Sequence, residues 1–188
     1  LVTTGLRNAS IDVAAATRHG VVVCGTPGGS HATAELAFGL MLSIARNIAY
    51  ESQGMRAGAW QTTVGRDLKG KTLGILGLGK LGSQLAIYAK AFGMTVIAWS
   101  QNLTAEKAAA GGAEFVSKQD LFRRADFVSI HTVLSQRSRG LVGAAELALM
   151  KPTAAIVNTS RGPIIDGDAL LAALREGRIA AAGLDVYD

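Results

Sequence analysis

Residues 158–166 read "NTSRGPIID" and follow the apolar run "AAIV". Arg161 therefore leaves a strand-like segment between Ser160 and Gly162, two of the smallest side chains available. A solvated surface arginine needs no such clearing. An arginine that must meet a small planar anion does, because its guanidinium presents a flat fork that pairs with a carboxylate through parallel N–H···O bonds. Such a cation can also polarise a carbonyl oxygen on which negative charge develops.

A second constellation lies upstream. "GLGKLG" sets Gly77, Gly79 and Gly82 in the spacing G-x-G-x-x-G, after the strand-like "TLGIL" and ahead of the helical "KLGSQLAIYAKAFG". That context is what a dinucleotide-binding turn requires. Gly77 permits the tight turn, Gly79 lets a pyrophosphate approach the backbone, and Gly82 allows close packing of helix on strand. The helix N-terminus offers its unpaired N–H groups to the phosphates.

About 20 residues further on, such a unit should place an acidic residue on the adenosine ribose. Here "VIAW" is followed by Ser100, Gln101 and Asn102, with no carboxylate and no arginine beside them. These residues are placed at the ribose, and the cofactor is read as NAD or NADP with the choice open. Of the three histidines, His19 reads as surface and His31 as a helix-start residue. His131, with Thr132 and Val133, ends a strand on the ligand side and is placed in the cofactor cleft. None has a carboxylate or cysteine partner at ligand spacing, so no metal site is expected.

The elements that position these residues follow from periodicity. Residues 72–77, 94–99, 126–131, 154–159 and 181–186 are apolar nearly throughout, as strands covered on both faces are. Helical stretches at 80–92, 104–110, 118–124, 143–149 and 168–176 alternate with them; Ser117 and Asp120 give one a capping-box pattern, and Gly177 a helix stop. This alternation predicts an α/β fold with a doubly wound parallel sheet of Rossmann type. In such sheets ligands bind outside the carboxyl ends of the strands. Arg161 and Asp185 leave two of those ends, which brings them near the nicotinamide.

The first third differs. "LVTTG" and "VVVCG" read as short strands around a helix at 11–18, and "GTPGGS" as a hinge. "HATAELAFGLMLSIARNIAY" predicts one long buried helix over 31–50, and the Gly-broken stretch after it a helical arm and connector.

Composition narrows the class. The 188 residues suffice for one sizeable core, and 49% are hydrophobic. No apolar run is long enough for a membrane helix, no signal-peptide pattern is present, and the single Cys24 excludes an internal disulfide framework. The expectation is a cytoplasmic protein. A net charge of +5 suggests nucleic acid, but the 19 basic residues are scattered and aromatics make up only 5%, so no nucleic-acid role is assigned. The chain opens without methionine and closes on "LDVYD", which is expected of a piece of a longer protein.

"ELAFGLMLSIAR", "LKGKTLGILGLGKLG", "LALMKPTAAIVNTSRGPIIDGDALLAAL" and "IAAAGLDVYD", in this order, resemble the D-isomer-specific 2-hydroxyacid dehydrogenases over nearly the whole chain. The resemblance implies that Arg161 is the catalytic, substrate-orienting arginine. It implies that Asp185 binds the nicotinamide carboxamide, that Thr159 contacts the nicotinamide side, and that Lys80 and Leu81 give backbone N–H groups to the pyrophosphate. "TTGLRNASID" resembles the family's substrate-carboxylate loop, with Gly5 and Leu6 as backbone donors.

Residues 1–27 are then a remnant of a flavodoxin-like substrate domain. Residues 28–188 are the dinucleotide-binding domain with its linker helix and an arm at 45–65 that implies a homodimer. The implied reaction is hydride transfer between NAD(P)H and a small 2-keto or 2-hydroxy acid. "SQN" with "HTVLS" looks most like glyoxylate- or hydroxypyruvate-reducing relatives. The family's glutamate and histidine fall past Asp188. An NAD(H)-sensing transcriptional corepressor of the same fold is the alternative, and an adenosyl-homocysteine hydrolase-like domain is disfavoured by "NTSRG" and "LDVYD".

Overall fold

The computed structural model describes residues 1–5, 8, 10–27 and 31–187, which divide into two compact units, 1–32 and 33–188. In the first unit, β1 (Val2–Thr3) pairs in parallel with β2 (Cys24–Gly25), and α1 (Val13–Arg18) connects them. Asp12 caps α1 by accepting a hydrogen bond from Ala15 N at 2.8 Å. The hinge residues Gly28, Gly29 and Ser30 lie outside the described residues.

The long helix expected over 31–50 is two helices, α2 (His31–Ala45) and α3 (Ile48–Arg56). The break falls at Asn47, whose φ of 55° is left-handed. Asparagine tolerates that conformation better than other non-glycine residues. Arg46 and Asn47 interrupt the apolar run for only two residues, too short a gap for hydrophobicity alone to mark a break. After α3 the connector has no helix; Glu51 pins it back by accepting from Thr63 N at 2.7 Å, while Asn47 Nδ2 donates to Thr63 Oγ1 at 3.0 Å.

The second unit is a six-stranded, all-parallel sheet built from β3 (Thr72–Leu76), β4 (Thr95–Trp99), β5 (Glu114–Phe115), β6 (Phe127–Ile130), β7 (Ala155–Asn158) and β8 (Ala181–Leu184). The spatial order is β5-β4-β3-β6-β7-β8. Chain order therefore reverses between β3 and β6, the topological switch point of a doubly wound sheet. The edge strand β5 escapes a reading by periodicity because two residues show no period.

Helices cover both faces, and alternation along each strand feeds two cores. On one side Leu73, Ile75, Phe127 and Val157 pack with Phe38 and Met41 of α2 and Leu85 and Ala89 of α4 (Lys80–Ala91). On the other, Leu76, Val128, Ile130 and Ile156 meet Leu121 and Phe122 of α6 (Lys118–Arg124), following the short α5 (Ala105–Ala110). Leu147 of α7 (Ala144–Leu149) and Leu170 of α8 (Gly167–Arg175) complete that face.

Local signals set the helix ends. Ser117 Oγ accepts from Asp120 N at 3.0 Å to start α6. Gly177, at φ 66°, ends α8 while Arg178 N returns to Ala173 O at 2.8 Å, the paired bonding of a Schellman close. Asp126 ties strand starts together, accepting from Thr72 N and from Lys151 Nζ, both at 2.8 Å. Burial alone would raise its carboxyl, but those two donors outweigh it and hold Asp126 below the usual range. No helix among the described residues is long and apolar enough to cross a membrane.

Candidate functional site

The glycine turn sits at the switch point. Gly77 has φ 105°, and a Cβ there would lie 2.8 Å from the carbonyl carbon and oxygen of His131. The position demands glycine twice over, for its dihedral and because the chain leaving β6 passes against it. A Cβ on Gly82 would stand 2.5 Å from Gly77 O and 3.0 Å from Ile75 Cγ2, so the start of α4 packs directly on β3.

Gly79 is different. It caps α4 with φ −97°, and a Cβ there would meet nothing within 4 Å. Neither strain nor a protein neighbour calls for glycine at 79. The open space in front of it is a cradle a side chain would occupy. The N–H groups of Lys80 and Leu81 open a twelve-residue helix whose N-cap makes no side-chain bond, which leaves them available to an anion.

Segments from neighbouring strands flank this turn. Ser100–Leu103 is a hydrogen-bonded turn after β4, closed by Leu103 N to Ser100 O at 3.0 Å. Thr132 Oγ1 donates to Leu76 O at 3.0 Å, fixing the chain as it leaves β6. A cleft of about 310 Å³ opens between these segments, lined by Ser100, Gln101, Thr132, Val133, Ser135 and Arg137 among others. Asn102 is exposed in the same turn.

His131 does not line that cleft. Its ring is half-buried, with Nε2 2.8 Å from the fully buried Ser129 Oγ and Nδ1 buried without a partner among the described residues. Burial pushes its pKa down to about 4, so the ring is neutral in the folded chain. The unfolded chain takes up this proton near 6.5, so between about 6.5 and about 4 it binds more protons than the folded one. Stability from this group is complete above pH 6.5 and falls by roughly 3 kcal/mol as pH drops through that window. Denaturant melts at stepped pH should show the slope, and His131→Asn should flatten it; an unchanged slope in the variant would assign it to other groups.

At the far side of the switch point, one buried amide organises the site. Asn158, 1% exposed at the end of β7, donates from Nδ2 to Arg161 O at 2.9 Å and accepts from Ser160 N through Oδ1 at 3.0 Å. Its carbonyl accepts from Asp185 N at 3.0 Å. The backbones of Arg161 and Asp185 are thus held by the same residue. Sequence reasoning did not single out Asn158, although a polar residue closing a buried apolar run is a signal in itself.

Arg161 is exposed, and no carboxylate among the described residues pairs with it; its Nη1 donates to Ser160 O at 2.6 Å. A 3₁₀ turn, Gly162–Ile164, follows it and was not foreseen. Thr159 is 6% exposed, and its Oγ1 is buried without a hydrogen-bond partner among the described residues. Such an orphaned hydroxyl costs about 1–3 kcal/mol unless something bonds it.

In the first unit Gly5 has φ 83°, and its N–H lies 3.4 Å from Thr26 Oγ1, a long bond that leaves the donor weakly engaged. Leu6 lies outside the described residues. Among the described residues no group of three or more His, Cys, Asp or Glu side chains is arranged to hold a metal ion.

The whole arrangement fits a dinucleotide laid across the carboxyl ends of the strands: an open cradle at Gly79, free N–H groups beyond it, and a bare buried hydroxyl at Thr159. Comparison with known proteins agrees. The family model "D-isomer specific 2-hydroxyacid dehydrogenase, NAD binding domain" matches residues 38–188. A glyoxylate reductase of Thermococcus litoralis is 43% identical over 189 residues, covering 95% of this chain and 57% of that protein. A D-3-phosphoglycerate dehydrogenase of Methanocaldococcus jannaschii is 44% identical over 183 residues, covering 95% of this chain and 35% of that one. The crystal structure of a phosphoglycerate oxidoreductase from Vibrio cholerae O395 superposes with a TM-score of 0.91 at 35% identity, covering 98% of this chain and 60% of its own. The chain spans a little over half the length of the glyoxylate reductase it matches.

Proposed function

The chain belongs to the D-isomer-specific 2-hydroxyacid dehydrogenase family, and from that premise we propose that the protein transfers hydride between NAD(P)H and a small 2-keto or 2-hydroxy acid. Glyoxylate and hydroxypyruvate are the substrates proposed, in keeping with the glyoxylate reductase relatives. The observation that carries the reading is Arg161: a cation at the carboxyl end of β7, backbone-anchored by Asn158 and paired with no described carboxylate. Reduction of glyoxylate, hydroxypyruvate and pyruvate by the intact protein, followed by loss of nicotinamide absorbance, tests it. No turnover of any of the three would sink the reading.

Bound NAD(P)H supplies the hydride; the chain supplies position and charge. The Arg161 fork holds the substrate carboxylate and stabilises the charge that builds on the carbonyl oxygen. Asn158 acts as a positioning residue, because its bond to Arg161 goes to the backbone carbonyl and not to the guanidinium. Asp185 binds the nicotinamide carboxamide in this reading, Thr159 contacts the nicotinamide side, and the Lys80 and Leu81 N–H groups hold the pyrophosphate. Ser100, Gln101 and Asn102 lie at the adenosine ribose, with Thr132 and Val133 across from them, while the His131 ring turns to Ser129 instead. Gly5 and Leu6 keep the part the resemblance gives them, backbone donors to the substrate carboxylate. Residues 1–27 are assigned to the substrate domain and 28–188 to the dinucleotide-binding domain.

A homodimer is proposed as well, through the arm at 45–65. It leaves Ile48, Tyr50, Met55, Trp60 and Val64 between 53% and 89% exposed, and a cluster of large apolar groups of that kind marks an interaction surface.

The ribose assignment has its own test. Ser100→Asp should add bonds to the ribose hydroxyls of NAD(H) and repel a 2′-phosphate. It is expected to move the ratio of NAD(H) to NADP(H) affinity by roughly tenfold or more, about 1.4 kcal/mol. A ratio that stays put in calorimetry would remove the turn after β4 from the site.

A further inference from the structure

The adenosine-side cleft holds a cation that the ribose-binding pattern does not account for. Beside Ser100 in sequence there is no arginine, yet the fold delivers one: Arg137, from the loop after β6, lines the same cleft as Ser100 and Gln101. β4 and β6 lie on either side of β3, so the segments leaving their carboxyl ends converge above it. We propose that Arg137, with Ser100 and Gln101, forms a site for the 2′-phosphate of NADP(H), and that the protein prefers the phosphorylated dinucleotide. The proposal rests on the dinucleotide reading above and adds to it which form is bound.

Four observations converge on it. No Asp or Glu lines the cleft among the described residues, so the repulsion that normally excludes a 2′-phosphate is missing. Arg137 forms no ion pair and no side-chain hydrogen bond among the described residues, and is the only charged residue among those lining the cleft. Ser100 Oγ and the Gln101 amide are likewise uncommitted and can donate to phosphate oxygens.

The fourth observation is preorganisation. Ser138, 4% exposed, accepts from Ser135 N at 2.7 Å and donates to Val133 O at 2.7 Å. Arg139 N closes the same turn onto Ser135 O at 3.0 Å. Arg137 is therefore displayed from a backbone that is already fixed, and binding an anion there orders only its side chain. A planar guanidinium with hydroxyl and amide donors beside it suits a tetrahedral dianion better than a neutral diol.

Calorimetry of the intact protein with NADPH and NADH, and with the fragments 2′,5′-ADP and 5′-AMP, tests the assignment without reference to turnover. The phosphorylated member of each pair should bind roughly tenfold or more tightly. Arg137→Ala should bring the ratio of each pair close to one. Arg139→Ala removes the same charge from an exposed residue that does not line the cleft, and should leave the ratios as they are. Equal affinities in the unaltered protein would overturn the proposal. So would ratios that survive Arg137→Ala, or that fall equally in both variants, since the latter would signal only the general positive field. Failure of every nucleotide to bind would instead strike at the dinucleotide reading beneath it.

Discussion

Arg161→Lys in the intact protein is expected to lower kcat/KM for 2-keto acid reduction at least ~100-fold, the range seen when one electrostatic stabiliser of a transition state is lost. The charge survives this change, but the planar fork does not, and lysine cannot meet a carboxylate through two parallel bonds. The anchoring geometry separates this effect from misfolding. Asn158 bonds the backbone carbonyl of Arg161, not its side chain, so the turn after β7 should form equally well in the variant. Most of the dinucleotide lies on other segments in the proposed site, and Thr159 and Asp185 are left intact by the change, so its affinity by calorimetry should hardly change. Near wild-type turnover would reduce Arg161 to an ordinary surface residue.

Gly79→Val should eliminate dinucleotide binding while the domain remains folded. A Cβ at 79 meets no protein atom within 4 Å, and φ there is −97°, which valine adopts without strain. The cost to the fold is confined to a poorer helix cap, about 1 kcal/mol or less. The two other glycines of the motif make the contrast. A Cβ on Gly77 or Gly82 would collide with backbone at 2.8 Å and 2.5 Å, so variants there should lose stability together with binding. Thermal melts alongside calorimetry with NAD(H) and NADP(H) read both quantities. Wild-type affinity in folded Gly79→Val would move the pyrophosphate elsewhere.

Much of the fold was legible because buried parallel strands and amphipathic helices leave different marks on hydrophobicity. The apolar runs before Gly77, Ser100, His131, Thr159 and Asp185 gave five strands, and each ligand-side residue could be placed at a strand end. What escaped was of two kinds. The break at Asn47 and the edge strand β5 are single-residue or two-residue events, below the length at which a period can be counted. Asn47 carried the one available signal, as the residue type that best tolerates positive φ after glycine.

The second kind depends on topology. Arg137 was invisible as a partner of Ser100 because a search beside Ser100 cannot foresee that β4 and β6 flank β3. Asn158 went unremarked because its importance lies in three bonds to residues whose relative placement the sheet decides.

The order of the sheet also separates two choices that a change of habitat would impose on such a protein. The adenosine-side segments leave β4 and β6, while Asn158, Arg161 and Asp185 belong to β7 and β8. The two groups share a core but no side-chain hydrogen bond among the described residues. In this reading, substitutions at 100–102 and 133–138 can follow the supply of reducing equivalents in a cell, phosphorylated or not. Those around 158–161 can follow the acid being metabolised. A lineage could then inherit one preference while revising the other, because residues that share no hydrogen-bond partner contribute nearly independently.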